Sequence, residues 1–252
     1  MTSNKKNQLL KKIIKKDQKT VILPMDHCVS DGPIPGLKNM KKAIKKVKKG
    51  GVDAIVVHKG ILKIYKKIIG DLPTLIHVSA STDLNNPLKK VLVAWPEEIL
   101  NLGAQGVSIH LNLANKYESQ MIKDFGFVSK ECERLGLPLL AMVYPRNLVK
   151  GKIITYTDTA RVSHCARLAA ELGADIVKVP YTGSAESFKE VVKGCPIPVV
   201  IAGGDKSSEK KMLKSIKDCV NCGSAGVSVG RNAFQAKDVV GMVKKIKNAV
   251  HN

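Results

Sequence analysis

Leu172-Gly173-Ala174-Asp175-Ile176-Val177-Lys178-Val179 contains, in eight residues, the unit from which this chain is built. Leu172-Gly173 puts a glycine just past a helical pattern, where a left-handed turn stops the helix. The apolar, β-branched run that follows predicts a short buried strand. Lys178 is out of character there. A lysine entering an apolar interior costs several kcal/mol as a cation, so it is rare unless used or paired. One use is as a neutral amine that adds to a ketone to form a Schiff base, since burial favours the uncharged form of an amine. The other reading is that Lys178 snorkels outward from a strand end and decorates the surface.

The same unit recurs along the chain. Strands are predicted at 21–25, 54–58, 74–78, 107–111, 139–143, 175–179, 198–202 and 225–229. The intervals, about 20 to 36 residues, fit a strand plus a crossover helix. Near-continuous apolar strands signal a parallel sheet covered by helices. Eight such units in 252 residues predict an α/β fold of the (β/α)8 TIM-barrel type, for which about 250 residues is typical. No linker interrupts the pattern, so residues 1–252 read as one domain, with 1–19 a basic N-terminal helical extension. A helix is predicted over 37–49 after Gly36, and Ser207-Ser208-Glu209 offers an N-cap with an acid in the first turn.

In a barrel the loops after the strands carry the site. The polar residues at those ends are Asp26-His27, His58-Lys59, His77, His110, Tyr144-Pro145-Arg146, Lys178, Gly203-Gly204 and Gly230-Arg231. Any one of these histidines could be a hydrogen-bonded structural residue. Strands seven and eight end in Gly203-Gly204 and Gly230-Arg231-Asn232. Glycines let backbone amides close on an anion, and the loops after strands seven and eight are the recurrent phosphate site of this fold. Arg231 could add a fork to the phosphate oxygens.

Composition narrows the function classes. No run of 18 apolar residues is present and no secretory core follows Met1, which predicts a cytoplasmic protein with no membrane partner. The six cysteines are scattered, and Cys219-x-x-Cys222 stands alone in a helical pattern, reading as packing thiols rather than a zinc or redox pair. The formal charge is +21, yet arginine occurs only at 134, 146, 161, 167 and 231 and aromatics are 4%. Nucleic-acid readers favour arginine forks and stacking aromatics, so a lysine-coated helical exterior explains the charge better. An anion- or nucleic-acid-binding barrel without catalysis is the rival reading.

Several segments carry a family resemblance. They are Pro24-Met25-Asp26-His27-Cys28-Val29-Ser30-Asp31-Gly32-Pro33-Ile34, Asn86-Pro87-Leu88-Lys89-Lys90-Val91, Tyr144-Pro145-Arg146, Tyr181-Thr182-Gly183, Ala202-Gly203-Gly204 and Val229-Gly230-Arg231-Asn232. With Lys178 on strand six, the chain resembles class I Schiff-base aldolases of the DeoC/FbaB type over nearly its whole length. Within them it looks most like the branch of 2-amino-3,7-dideoxy-D-threo-hept-6-ulosonate synthases. The resemblance implies Lys178 as the Schiff-base lysine, Tyr144 as proton donor and Asp26 as proton acceptor. It implies His27, Cys28, Val29, Ser30, Pro145, Arg146, Gly203, Gly204, Gly230 and Arg231 as substrate-binding residues. No metal or other cofactor is called for. The partners it implies are a phosphorylated keto-sugar, which gives up a three-carbon ketone unit, and an aldehyde acceptor, L-aspartate 4-semialdehyde. Cleavage of fructose 1,6-bisphosphate is the alternative. A homo-oligomer, in rings or decamers, is also implied. Two departures from the branch stand out: Cys28 takes a usual glycine position, adding a side chain on the substrate's path, and Asp205 takes that of a proline.

Overall fold

The computed structural model describes residues 2–204 and 208–252, so the readings made at Asp205 and Ser207 lie outside the described residues. Among these, eight parallel strands close on themselves. They are β1 (Thr20–Pro24), β2 (Ala54–Val57), β3 (Thr74–His77), β4 (Gly106–Leu113), β5 (Leu139–Val149), β6 (Ile176–Val179), β7 (Val199–Ala202) and β8 (Gly226–Ser228). Each pairs with its neighbours in chain order, and β1 against β8 completes the (β/α)8 barrel. The closing register sets Thr20 opposite Gly226. A β-carbon on Gly226 would lie 2.1 Å from the Thr20 carbonyl oxygen, so the seam can close only around a glycine.

The helices are α1 (Thr2–Ile13), α2 (Cys28–Asp31), α3 (Met40–Gly50), α4 (Lys59–Ile69), α5 (Pro96–Leu102), α6 (Glu118–Leu135), α7 (Thr159–Glu171), α8 (Ala185–Lys193), α9 (Glu209–Asn221), α10 (Arg231–Phe234) and α11 (Val239–His251). The helix expected from residue 37 begins at Met40. Its start is set by Asn39, whose side chain accepts from the Lys42 amide, while Leu37 is buried in the loop before it. The N-cap of α9 is Ser208. No helix among the described residues is long and apolar enough to cross a membrane.

Strand residues alternate between two cores. Val21, Leu23, Ile55, Val57, Val177, Val179, Val199 and Ile201 face the helix layer in one buried cluster. Ile22, Ala54, Val56, Leu75, Leu140, Met142, Ile176 and Val200 fill the barrel interior in another. Leu10, Ile13 and Ile14 join the interior cluster, so α1 seals the barrel at the N-terminal ends of the strands. Thr20 Oγ1 donates to the Ile13 carbonyl at 2.8 Å and fixes that plug to β1.

Two antiparallel additions were not foreseen from sequence. Ser79–Ala80 pairs with Val91–Leu92, and β5 runs past the barrel wall to pair with Lys152–Thr155. The first offers only two residues per strand, too few for any alternation to register. The second is a continuation of a barrel strand whose outer residues face solvent.

At the opposite end, polar side chains staple neighbouring strands. Asp53 accepts from the Val21 amide at 2.8 Å, Gln105 from Thr74 at 2.9 Å and Asp175 from Leu139 at 2.8 Å. Asp53 is buried and also meets His251 Nε2 at 2.8 Å, joining the last helix to the barrel. Replacing Asp53 by alanine strands a buried amide and a ring nitrogen together. Asp53→Ala is expected to lower stability by about 3 kcal/mol in urea denaturation. A loss well under 1 kcal/mol would mean that the staple carries little of the closure.

Candidate active site

The C-terminal ends of the strands open into a cleft of about 800 Å3. Lys178 lies at its floor. Its neighbours Val177 and Val179 are packed against the helix layer, so alternation turns Lys178 toward the barrel axis, with only 6% of the residue exposed. The outward, snorkelling orientation is therefore ruled out. Lys178 Nζ reaches Met142 Sδ at 3.9 Å across the β5–β6 pairing, and no carboxylate among the described residues lies within ion-pair distance. This is a primary amine with an apolar neighbour, opening into a polar cleft.

Tyr144 follows Met142 on the same inward face of β5. The His110 ring lies 4.9 Å from its ring, and the Arg146 guanidinium carbon is 4.1 Å from its centroid. Arg146 is steadied by the hairpin, its Nε donating to Thr155 Oγ1 at 2.9 Å.

Asp26 emerges from the end of β1 into a ring of imidazoles. His77 Nε2 and His27 Nδ1 each lie 3.7 Å from one of its oxygens. Burial by itself raises the Asp26 carboxyl; His77, His27, His58 and Lys178 oppose this and hold it at about 2. Burial pushes His77 down to about 3, and Asp26 only partly offsets it. Burial also lowers His27, His58 and His110. At neutral pH Asp26 is therefore a carboxylate among neutral imidazoles. His77 is oriented by Ser108 Oγ at 3.0 Å, and His110 Nε2 by Asn112 Oδ1 at 2.9 Å.

Across the cleft, Asn232 Nδ2 donates to the Gly203 carbonyl at 2.9 Å, tying the loops after β7 and β8 together. A β-carbon on Gly230 would meet His27 Cε1 at 2.7 Å and the Pro24 oxygen at 2.9 Å. Backbone thus comes close to the cleft at two points, with Arg231 beside them at the start of α10.

Of the residues singled out in the sequence, Asp26, His27, Ser30, His58, His77, His110, Tyr144, Arg146, Lys178, Gly203, Gly204, Gly230 and Arg231 line one cleft. Cys28, Val29, Pro145 and Lys59 do not. Cys28 opens α2 and packs against the outer core rather than lining the cleft. Lys59 pairs with Glu98 at 2.9 Å. Cys219 is buried in α9 and the Cys222 thiol donates to its carbonyl at 3.1 Å, so this pair packs a helix end. Among the described residues no group of three or more His, Cys, Asp or Glu is placed to hold a metal ion.

The sequence reading missed Lys90, Asp31 and Asp83 as parts of the cleft. Lys90 is buried there and donates to Ser81 Oγ at 2.6 Å. No periodicity could have shown this, because Lys89-Lys90 resembles the many exposed lysine pairs of this chain.

A family model described as DeoC/LacD family aldolase matches residues 20–236. The chain is 43% identical over 241 residues to 2-amino-3,7-dideoxy-D-threo-hept-6-ulosonate synthase 1 of Archaeoglobus fulgidus, covering 94% of this chain and 88% of that one. It is 38% identical over 234 residues to the 2-amino-4,5-dihydroxy-6-oxo-7-(phosphonooxy)heptanoate synthase of Streptomyces griseus, covering 92% and 84%. A structure of a Schiff-base-forming fructose-1,6-bisphosphate aldolase superposes with a TM-score of 0.89 at 28% identity, covering 98% of this chain and 100% of that one.

The titration of His77 has a measurable consequence. An unfolded histidine takes up its proton near 6.5, whereas folded His77 does so only at about 3. The unfolded state therefore binds more protons in that window. The stability that His77 contributes is complete above pH 6.5 and falls as pH drops toward 3, by up to about 1.4 kcal/mol per unit. His77→Gln is expected to flatten the fall of unfolding free energy between pH 6 and 4; an unchanged slope would remove His77 from that balance.

Proposed function

Because this chain belongs to the DeoC/LacD family of aldolases and is a class I, Schiff-base enzyme, we propose that it joins a three-carbon ketone unit to an amino-acid aldehyde through Lys178. The names of the two curated relatives supply the bond logic. Both products carry an amino-acid head and a ketone at carbon 6, and that of the Streptomyces griseus enzyme bears a phosphate on carbon 7. An aldol bond forms between the carbons α and β to the ketone, here carbons 5 and 4. Carbons 5–7 then come from the ketone donor, and carbons 1–4 are L-aspartate 4-semialdehyde. The donor in this reading is a phosphorylated keto-sugar handled in the cytoplasm.

Lys178 attacks the donor ketone as the neutral amine, and loss of water from the carbinolamine leaves an iminium. The hydroxyl β to that cation loses its proton and the bond between the α and β carbons breaks. The β carbon departs in an aldehyde fragment of the donor, and an enamine remains on Lys178. The enamine carbon attacks the acceptor aldehyde, and water then releases product and lysine. Tyr144 is assigned as the proton donor and Asp26 as the proton acceptor for the hydroxyl and carbinolamine oxygens. A buried tyrosine on the strand beside the lysine suits the first role. A carboxylate that stays ionised at neutral pH suits the second. Gly203, Gly204, Gly230 and Arg231 are assigned to the phosphate.

The observation that carries the reading is Lys178 itself: an amine enclosed in the barrel without a carboxylate partner among the described residues, open to a cleft that ends in glycine loops. Fructose 1,6-bisphosphate cleavage is the second reading, favoured by the likeness to the Schiff-base-forming aldolase structure.

Borohydride reduction in the presence of a phosphorylated keto-sugar donor is expected to leave a covalent adduct on Lys178, located by peptide mass. Lys178→Met is expected to abolish both adduct and turnover in folded protein, and an adduct elsewhere would overturn the assignment. Tyr144→Phe is expected to lower kcat by about 10²–10⁴-fold. An unchanged rate would remove Tyr144 from proton transfer.

A further inference from the structure

The cleft contains a second enclosed lysine that the chemistry above does not use. Lys90 is 8% exposed, lines the cleft and, among the described residues, makes a single hydrogen bond, to Ser81 Oγ. One neutral hydroxyl does not compensate the burial of an ammonium. No carboxylate among the described residues lies within ion-pair distance of Lys90.

The position of Lys90 is built rather than incidental. Ser81 Oγ donates onward to the Pro87 carbonyl at 3.1 Å, and Asn112 Nδ2 donates to Leu88 at 3.0 Å, anchoring the 81–90 loop to β4. Ser30 Oγ donates to the Ser81 carbonyl at 3.0 Å, and the Asp83 amide donates to the Ser30 carbonyl at 3.1 Å. These bonds bring the β1 loop and the β3 loop together, and with them Asp31, Asp83 and Lys90 onto one wall. In a closed eight-strand barrel the β3–β4 side is diametrically opposite the β7–β8 side, where the glycine loops lie.

We infer that Lys90 is a specificity-determining residue that binds the α-carboxylate of the aldehyde acceptor, while Asp31 and Asp83 receive its α-ammonium. This assignment rests on the transfer reaction proposed above. A zwitterionic head presents one negative and one positive group on the same carbon, which is the pairing that this wall offers. A second phosphate is disfavoured there because its two charges would face two carboxylates. Burial, followed by Arg146, pushes Lys90 down to about 8, so at pH 7 the amine still carries its proton and can ion-pair with a carboxylate.

The test compares wild type, Lys90→Met, Lys90→Arg and Asp83→Asn with a phosphorylated keto-sugar donor and two acceptors, aspartate semialdehyde and succinate semialdehyde, which lacks the amino group. Borohydride trapping of the donor on Lys178 is run on every variant. Lys90→Met is expected to raise the KM for aspartate semialdehyde about 10- to 100-fold, leaving the donor KM and the Lys178 adduct unchanged. Lys90→Arg should recover part of that loss. Asp83→Asn should narrow the preference for aspartate semialdehyde over succinate semialdehyde several-fold. An intact adduct with an unchanged acceptor KM, or with the donor KM altered instead, overturns the inference. An intact wild-type adduct without transfer to aspartate semialdehyde overturns it too. Absence of any Lys178 adduct in wild type would instead bring down the Schiff-base assignment, and this inference with it.

Discussion

Val177 and Val179 pack outward against the helices, and because side chains on a strand alternate, Lys178 between them must enter the barrel. The rest of the site depends on that turn. The β5–β6 register sets Met142 beside the lysine, giving it an apolar neighbour in place of a counter-ion. A shift of one residue would expose Lys178 to the helix layer and drive both valines into the cleft. Register is fixed by two buried cores at once, since β1, β2, β3, β5, β6 and β7 each place residues in one core on each face.

The barrel wall supplies the floor, but the walls of the cleft come from segments outside the eightfold repeat. The Lys152–Thr155 strand holds Arg146 over Tyr144. The loop between Ala80 and Val91 carries Lys90 inward and presents Asp83. These pieces sit at the C-terminal ends of the strands, whereas the other end is closed by α1 and by the Asp53, Gln105 and Asp175 staples. Stability and chemistry are thus separated along the barrel axis.

Inside the cleft the charges are mixed, with Asp26, Asp31 and Asp83 beside Lys90, Arg146, Lys178 and Arg231. Burial keeps the histidines neutral, leaving Asp26 as a carboxylate that the surrounding imidazoles and Lys178 favour. The basic exterior also has local uses: Lys6 of α1 joins Glu133 at 2.7 Å and Asp175 at 2.9 Å, binding the helical plug to the neighbouring unit. Here a lysine of the N-terminal stretch does a fastening job that composition alone could not reveal.

Local sequence located all eight strands, six of them to within about a residue and β4 and β5 short of their observed ends, because a parallel strand buried on both faces leaves a continuous apolar run. It also pointed to the strand-end residues, since position in the repeat tells which end of the barrel they occupy. Asp26, Tyr144, Lys178 and the glycine pairs were legible for that reason. Tertiary structure alone decided that Cys28 faces the outer core, that Leu37 lies before its helix rather than in it, and that Lys90 is enclosed while Lys89 is exposed. Those outcomes depend on which loops meet across the barrel mouth. Contacts between distant segments leave no period in the chain, so only the folded arrangement could supply them.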